Sequence, residues 1–232
     1  MQNFIQKTLP VGRLQCNCQI LVCKETLKAV IVDPGDEAAF ILKEIKEIED
    51  VLGAPIQVKA LLHTHAHFDH IGATRAVKEH FIAAGVDAPQ IFLHQADEVI
   101  YSRLPEQGAR FGFQFVPPLP VDQYLQDGQK MGVGKMKFTV LHTPGHSPGG
   151  VCFRKHEDSE ASIPESVFTG DTLFRGSVGR SDLWGGNDQQ LVQSIQTRIM
   201  TLSDDTIIWP GHGPSTTVGH ERKTNPYLNT RA

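Results

Sequence analysis

The sequence predicts an α/β fold in which two β-sheets lie face to face and helices cover their outer faces. Three observations lead there. Short β-branched or aromatic runs alternate with segments of helical periodicity in both halves of the chain, so neither half is all strand or all helix. The 232 residues suffice for one sizeable core and no low-complexity linker divides them, so a single domain over residues 1–232 is expected. No self-similarity appears at the periods of about 20–50 residues that mark solenoids and propellers.

In chain order, CQILVC and KAVIVDPG read as two strands joined near KETLK, and Asp33-Pro34-Gly35 turns the chain out of the second. A helix is expected from Asp36 as N-cap, because Phe40, Ile41, Ile45 and Ile48 recur at helical spacing and offer one face to a sheet. IQVKALL is the next strand. HIGATRAVKEHFIAAG then predicts a helix whose Ala73, Val77 and Phe81 share a face and which Gly85 ends. PQIFLH, MKFTVL, GGVCF, ESVFTG and DTIIW follow as strands. Before the last of them lies a helix opened by Asn187 and Gln190 and lined by Leu191, Ile195, Ile199 and Leu202. The segment from Leu104 to Pro120, LPEQGARFGFQFVPPLP, fits neither pattern. Its alternating Phe111, Phe113 and Phe115 predict an edge strand or a wrap over the core in preference to a substrate lid.

Composition narrows the function. Hydrophobic residues at 40% and charged residues at 21% are ordinary globular usage, which excludes a disordered or fibrous chain. A net charge of −4, with Lys and Arg scattered, argues against nucleic acid as a partner. No apolar run approaches the roughly 20 residues that span a bilayer, and MQNFIQKTLP lacks the apolar stretch of a secretory leader, so no membrane partner and a cytoplasmic location are expected. Cys16, Cys18, Cys23 and Cys152 have no disulfide-framework spacing and are expected to be reduced and buried, with a C-x-C metal clip at Cys16 and Cys18 as the competing reading.

The chemistry concentrates in HTHAHFDH, residues 63–70. His65 and His67 are two apart, which in an extended segment turns both to one side, where they can share a metal. Asp69 and His70 open the following helix and can be aimed at a neighbouring point. His146 in TPGHSPGG, Asp171 in FTGDTLF and His212 in WPGHGP each sit in a Pro/Gly turn after a strand. Ligand sites of α/β sheets gather beyond the carboxyl ends of strands, so these seven residues converge in principle. A zinc ion takes about four ligands, and seven therefore suit two metals, with Asp171 as the bridging carboxylate. His63, His80, His94, His142, His156 and His220 complete no such spacing and read as ordinary structural or surface residues, with His63 and His142 nearest to a supporting role.

Thr64 to His70 matches T-H-x-H-x-D-H, and on this motif the sequence resembles the metallo-β-lactamase superfamily. Within it, TPGHSPGG, FTGDTLF and PGHG resemble the glyoxalase II group, the hydroxyacylglutathione hydrolases, over a span from the first strands to NPYL. The resemblance implies an αββα sandwich. It implies that His65, His67 and His146 bind one metal, that Asp69, His70 and His212 bind the other, and that Asp171 bridges them. The cofactors implied are two divalent ions, zinc foremost, with iron or manganese also compatible with the donors. The activity implied is hydrolysis of a small-molecule thioester such as S-lactoylglutathione, by attack of a hydroxide shared between the cations and oriented by Asp69. Cysteine replaces the bridging Asp in many true β-lactamases, so Asp171 argues against that activity.

Two departures from the longer glyoxalase II enzymes stand out. Only about twenty residues follow His212, so no C-terminal helical glutathione-binding domain is expected. Where those enzymes place a glutathione-contacting Lys, this chain has Arg180 in GSVGRSDL. Arg180 is the substrate-binding candidate, able to grip a carboxylate, with an ion pair to Asp182 as the competing reading. GRSDL and ERKTNPYL also resemble the persulfide dioxygenases, whose single iron is held by the equivalents of His65, His146 and Asp171, and that alternative stays open.

Overall fold

A computed structural model describes residues 3–156 and 165–229. The first sheet is built from β1 (Phe4–Val11), β2 (Cys16–Cys23), β3 (Lys28–Val32), β4 (Gln57–Leu62), β5 (Gln90–His94) and β6 (Gln123–Leu125), in that spatial order. The first three strands run antiparallel, and β3 to β6 are parallel. The second sheet takes β7 (Lys130–Val133), β8 (Met136–His142), β9 (Val151–Lys155) and β10 (Ser166–Gly170). A small hairpin of β11 (Leu173–Phe174) and β12 (Ser177–Val178) follows, then β13 (Ile207–Pro210) and β14 (Thr216–Thr217) complete the second sheet in the order β14-β13-β10-β9-β8-β7.

The parallel connections of the first sheet are made by α1 (Ala38–Leu52), by α2 (Phe68–Ile71) with α3 (Thr74–Ala83), and by α4 (Glu98–Ser102) with α5 (Leu104–Arg110). The second sheet is crossed by α6 (Asp188–Ser194), which runs on into a π-helical turn at Ile195–Ile199, and is closed by α7 (Val218–Thr224) and α8 (Pro226–Asn229). Among the described residues no helix is long and apolar enough to cross a membrane.

Side-chain alternation explains the layering. In β2, Ile20 and Val22 face α1, while Leu21 and Cys23 face the second sheet, so the strand is buried on both sides and reads as a continuous apolar run. Leu21, Val30, Val32 and Leu62 meet Phe138, Val140, Phe153 and Phe168 between the sheets. Ile41, Ile45, Ile48, Val77 and Phe81 cover the outer face of the first sheet, and Leu191, Ile195, Ile199 and Val218 that of the second. Each fully buried side chain of this kind contributes about 1.5–3 kcal/mol. The result is the expected helix, sheet, sheet, helix sandwich.

Several local expectations are corrected. Glu37, not Asp36, is the N-cap of the first helix, and it adopts a left-handed φ of 51°. Its amide donates to Asp36 Oδ1 at 2.7 Å, so Asp36 supports the turn from outside the helix. Phe40 is 37% exposed and lies off the packed face. The helix after the histidine run breaks at Gly72 and Ala73, between α2 and α3. Residues 104–120 form no edge strand: the first seven are α5, and the rest wraps over the helix side of the core with Phe113 and Phe115 packed inward. A Cβ on Gly72 or Gly108 would lie 2.6 or 2.4 Å from the Phe115 ring, so both glycines make room for that wrap. The four cysteines are free and buried, as expected.

Candidate metal centre

Because β3, β4 and β5 are mutually parallel, and β8, β10 and β13 share one direction in the second sheet, their carboxyl ends lie along one edge of the sandwich. The loops leaving β4, β8, β10 and β13 carry all seven expected ligands, and the fold brings all seven together. Their donor atoms form three overlapping groups, each within 4.8 Å: His65, His67 and His146; His65, His70 and Asp171; and Asp69, His70 and His212. No cysteine belongs to any of these groups, so a Cys16–Cys18 clip finds no support among the described residues.

In the first group, His146 Nε2 lies 2.8 Å from His67 Nδ1 and 3.1 Å from His65 Nε2. Four ligands placed tetrahedrally at metal–nitrogen distances of about 2.0–2.1 Å stand roughly 3.3 Å apart, so these spacings fit a common cation. In the second group, His212 Nε2 lies 3.3 Å from Asp69 Oδ2, and His70 Nε2 lies 3.7 Å from it. Asp171 sits between the two groups. Its Oδ1 is 3.3 Å from His70 Nε2 and 3.6 Å from His212 Nε2, whereas its Oδ2 faces His146 Nε2 at 3.7 Å.

Burial makes this arrangement costly without a cation. His70 Nε2 and Asp171 Oδ1 are both buried, lie close together and form no hydrogen bond. Orphaned polar atoms of this kind cost about 1–3 kcal/mol each, and a divalent ion between them satisfies both. Titration points the same way. Burial opposes charge on His70, but Cys16, Asp171, Asp69 and Asp33 outweigh it and raise its pKa well above the ordinary histidine value. Burial likewise opposes the Asp171 carboxylate, yet His70 above all holds its pKa well below the usual range. Positive charge is thus favoured at the centre of the second group. Burial and the neighbouring His146 push His67 down to about 3, and burial with the surrounding imidazoles holds His65 well below the ordinary histidine value, which leaves both as neutral nitrogen donors.

The ligands are aimed by groups that the motif does not name. His70 Nδ1–H donates to Asp33 Oδ2 at 3.0 Å, with Cys16 Sγ at 3.5 Å. His146 Nδ1–H donates to the Arg180 carbonyl at 2.7 Å, and His212 Nδ1–H to the Leu14 carbonyl at 3.0 Å. His65 Nδ1–H donates to Thr64 Oγ1, whose own proton goes to Asp33 Oδ2 at 2.7 Å. These bonds fix the tautomers that leave the inward nitrogens free. Asp33, held at a left-handed φ of 50°, therefore orients two ligands. Asp97 is fully buried and accepts from Ala66 N at 2.9 Å, Ser147 Oγ at 2.8 Å and Gly149 N at 2.6 Å. It ties the loop of His65 and His67 to the loop of His146.

Asp33, Thr64 and Asp97 were missed by sequence reasoning, although Asp33 and Asp97 follow strands just as the ligands do. His63 and His142, read as ordinary structural residues, bond away from the candidate ligands. His63 bonds to the Phe92 carbonyl and Thr74 Oγ1, and His142 stacks on His94 and bonds to the Pro148 carbonyl. Among the described residues neither hydrogen-bonds a candidate ligand. Arg180 lines the cavity beside the centre, but its guanidinium makes two 2.8 Å bonds to Asp182, the ion pair that was the competing reading. That cavity, of about 300 Å³, opens onto His67, Asp69, His146 and Asp171 and is walled on its far side by α5.

Residues 11–212 match the family model of the metallo-beta-lactamase superfamily. A hydroxyacylglutathione hydrolase, GloC, of Haemophilus influenzae is 37% identical over 225 residues, which cover 97% of this chain and 98% of that protein. The crystal structure of BLEG-1 B3 metallo-beta-lactamase superposes with a TM-score of 0.81 at 36% identity, covering 97% of this chain and 100% of that one. That of TTHA1623 in a di-iron-bound form gives a TM-score of 0.76 at 38% identity over 96% and 100% of the two chains.

Proposed function

The chain belongs to the metallo-beta-lactamase superfamily, and from that premise we propose that it is a dinuclear metal-dependent hydrolase that cleaves thioesters of the hydroxyacylglutathione type. The observation that carries the dinuclear reading is the placement of Asp171, one oxygen facing His70 and His212 and the other facing His146. A single-metal site served by His65, His146 and Asp171 has no use for the complete second group of Asp69, His70 and His212. The superfamily binds divalent metals. Zinc fits the nitrogen and carboxylate donors, and iron is supported by the relative described in a di-iron-bound form.

Bound cations would lower the pKa of water from 15.7 towards about 7 and polarise the thioester carbonyl. The chain's residues do the rest. Asp69, with Oδ2 turned to His212 and His70, is placed to accept a proton from the attacking water and hold it in line with the carbonyl. The cavity orients the substrate, and Leu14, Phe68 and Phe111 along its wall give it an apolar side. A thiolate leaves readily, with a conjugate-acid pKa of about 8.5, so no general acid is demanded for departure. Apart from the ligand carboxylates, the only described acid lining the cavity is Glu106. The Haemophilus relative supports the glutathione-linked substrate, because it carries that name at the same span as this chain.

The test pairs metal analysis of purified protein with turnover of S-lactoylglutathione, glutathione persulfide and a chromogenic β-lactam. The proposal expects two metals per chain and thioester hydrolysis that is lost on chelation. Oxygen uptake on the persulfide with one iron per chain would replace it by the dioxygenase reading. Turnover of the β-lactam alone would replace it by the activity for which BLEG-1 is named.

A further inference from the structure

Although the chain carries a net charge of −4, three arginines gather on the cavity beside the centre. They are Arg103, Arg110 and Arg180, against Glu106 as the single acidic lining residue outside the candidate ligand set. Arg180 is already held by both oxygens of Asp182, and its carbonyl serves His146. Arg103 and Arg110 differ, since neither forms an ion pair with any described carboxylate. The Arg103 guanidinium lies over the Trp184 ring, 4.6 Å from its centroid, a contact that uses the face of the group and not its N–H donors.

Their spacing carries the argument further. Arg103 stands immediately before α5 and Arg110 is its last residue. Residues seven apart on a helix lie two turns apart on nearly the same face, separated by roughly 10 Å along the axis at about 1.5 Å per residue. An extended peptide covers about 3.3–3.6 Å per residue, so the backbone positions of the two arginines, at the two ends of α5, match a ligand of about tripeptide length with an anion at each end.

We propose that Arg103 and Arg110 are the specificity residues for the thiol half of the substrate, each taking one carboxylate of a dianionic, tripeptide-length carrier while the acyl carbonyl lies at the metal centre. The attachment of an acyl group rests on the thioester reading; the anion subsite does not. It also moves carrier recognition away from Arg180, where the sequence placed it.

The experiment measures Arg103→Gln, Arg110→Gln and the double variant by two routes. Calorimetry gives the affinity for S-hexylglutathione, a thioether that cannot be hydrolysed, and for its dimethyl ester. Steady-state kinetics give the ratio of kcat/KM for S-lactoylglutathione to that for its dimethyl ester. Each single variant is expected to weaken diacid binding about tenfold and to lower the diacid-to-diester ratio by a similar factor, as the loss of a charge-assisted bond dictates. Wild-type affinity for the diacid in both variants overturns the proposal. So does an equal loss for diacid and diester, which marks a structural role, or a wild type that binds neither thioether. A wild type whose thioether binding depends on Arg103 and Arg110 but which hydrolyses no thioester leaves the subsite standing and refutes the hydrolase reading.

Discussion

Asp97→Ala removes the acceptor shared by three buried donors, the amides of Ala66 and Gly149 and the hydroxyl of Ser147. Each donor left unsatisfied costs about 1–3 kcal/mol. The sum overstates the loss, because the carboxylate is itself buried at a cost: burial raises its pKa, and the Gly149, Ser147 and Ala66 donors pull against that shift. Taking the lower value for each donor gives about 3 kcal/mol, and at about 2–4 °C per kcal/mol for a chain of this size Tm should fall by about 6–12 °C.

The functional consequence is separate from the global one. Asp97 joins the loop of His65 and His67 to the loop of His146, so its loss should loosen the first metal group while leaving Asp69, His70 and His212 in place. Groups that support metal ligands in this way typically change affinity by about 10–100-fold. Thermal unfolding in the presence of excess metal reads the first effect, and competition with a chromophoric chelator reads the second. Asp97→Asn keeps the volume but turns a donor towards a donor, so it should cost about one unsatisfied bond, roughly 1–3 kcal/mol. An Asp97→Ala protein with wild-type Tm and wild-type affinity for both metals would refute the reasoning.

Three further outcomes are expected. In His212→Ala the second group loses a candidate ligand, and metal content measured by mass spectrometry should drop from two ions per chain to one with a matching loss of hydrolysis; one ion per chain in both wild type and variant would mark a mononuclear centre, and two in both would remove His212 from the ligand set. In Gly211→Ala the new Cβ would lie 2.4 Å from Asp171 Oδ1 and 2.7 Å from His70 Cε1, so metal content and turnover should both fall although no ligand is replaced. Removing the metals with a chelator should lower Tm by about 5–10 °C, because a ligand present at about 100 times its Kd stabilises by about 2.7 kcal/mol; an unshifted Tm would mean that the ligand groups hold no tightly bound ion.

The central strands were legible because they are largely buried on both faces, which leaves short apolar stretches such as ILV in β2, AVIV in β3, ALL in β4 and VF in β10. The periphery was not. β1 holds Pro10 and only two buried residues, β6 is three residues with Leu125 alone buried, and β7 contains Gly132, so none shows a period that competes with a loop. α5 was hidden by Pro105 and Gly108, which read as breakers. Proline in the first turn of a helix removes an amide that has no partner there in any case, and Gly108 is demanded by the Phe115 ring against it. In both cases a tertiary contact or a position within the element decides what a local rule cannot.

The metal centre divides along a different line. The seven candidate ligand positions, which the fold brings together, were readable because coordination chemistry restricts such positions to a few residue types, and a run such as HTHAHFDH has little other use. The groups that aim those ligands are less restricted. A carbonyl can be supplied by any residue, so nothing in the sequence marks Leu14 or Arg180 as the partners of His212 and His146. Asp33 and Asp97 resemble ordinary turn residues, yet both leave the carboxyl ends of parallel strands, and the rule that found His146, Asp171 and His212 applies to them equally. Arg180 combines both cases: its side chain, the candidate for a carboxylate on the substrate, is paired with Asp182, and its backbone oxygen accepts from the candidate ligand His146. Substitution at 180 should therefore leave the bond to His146 in place, because every side chain brings the same carbonyl. Position along the sheet edge, taken before residue type, is what separates the groups that orient the centre from the arginines at the two ends of α5 that line its cavity.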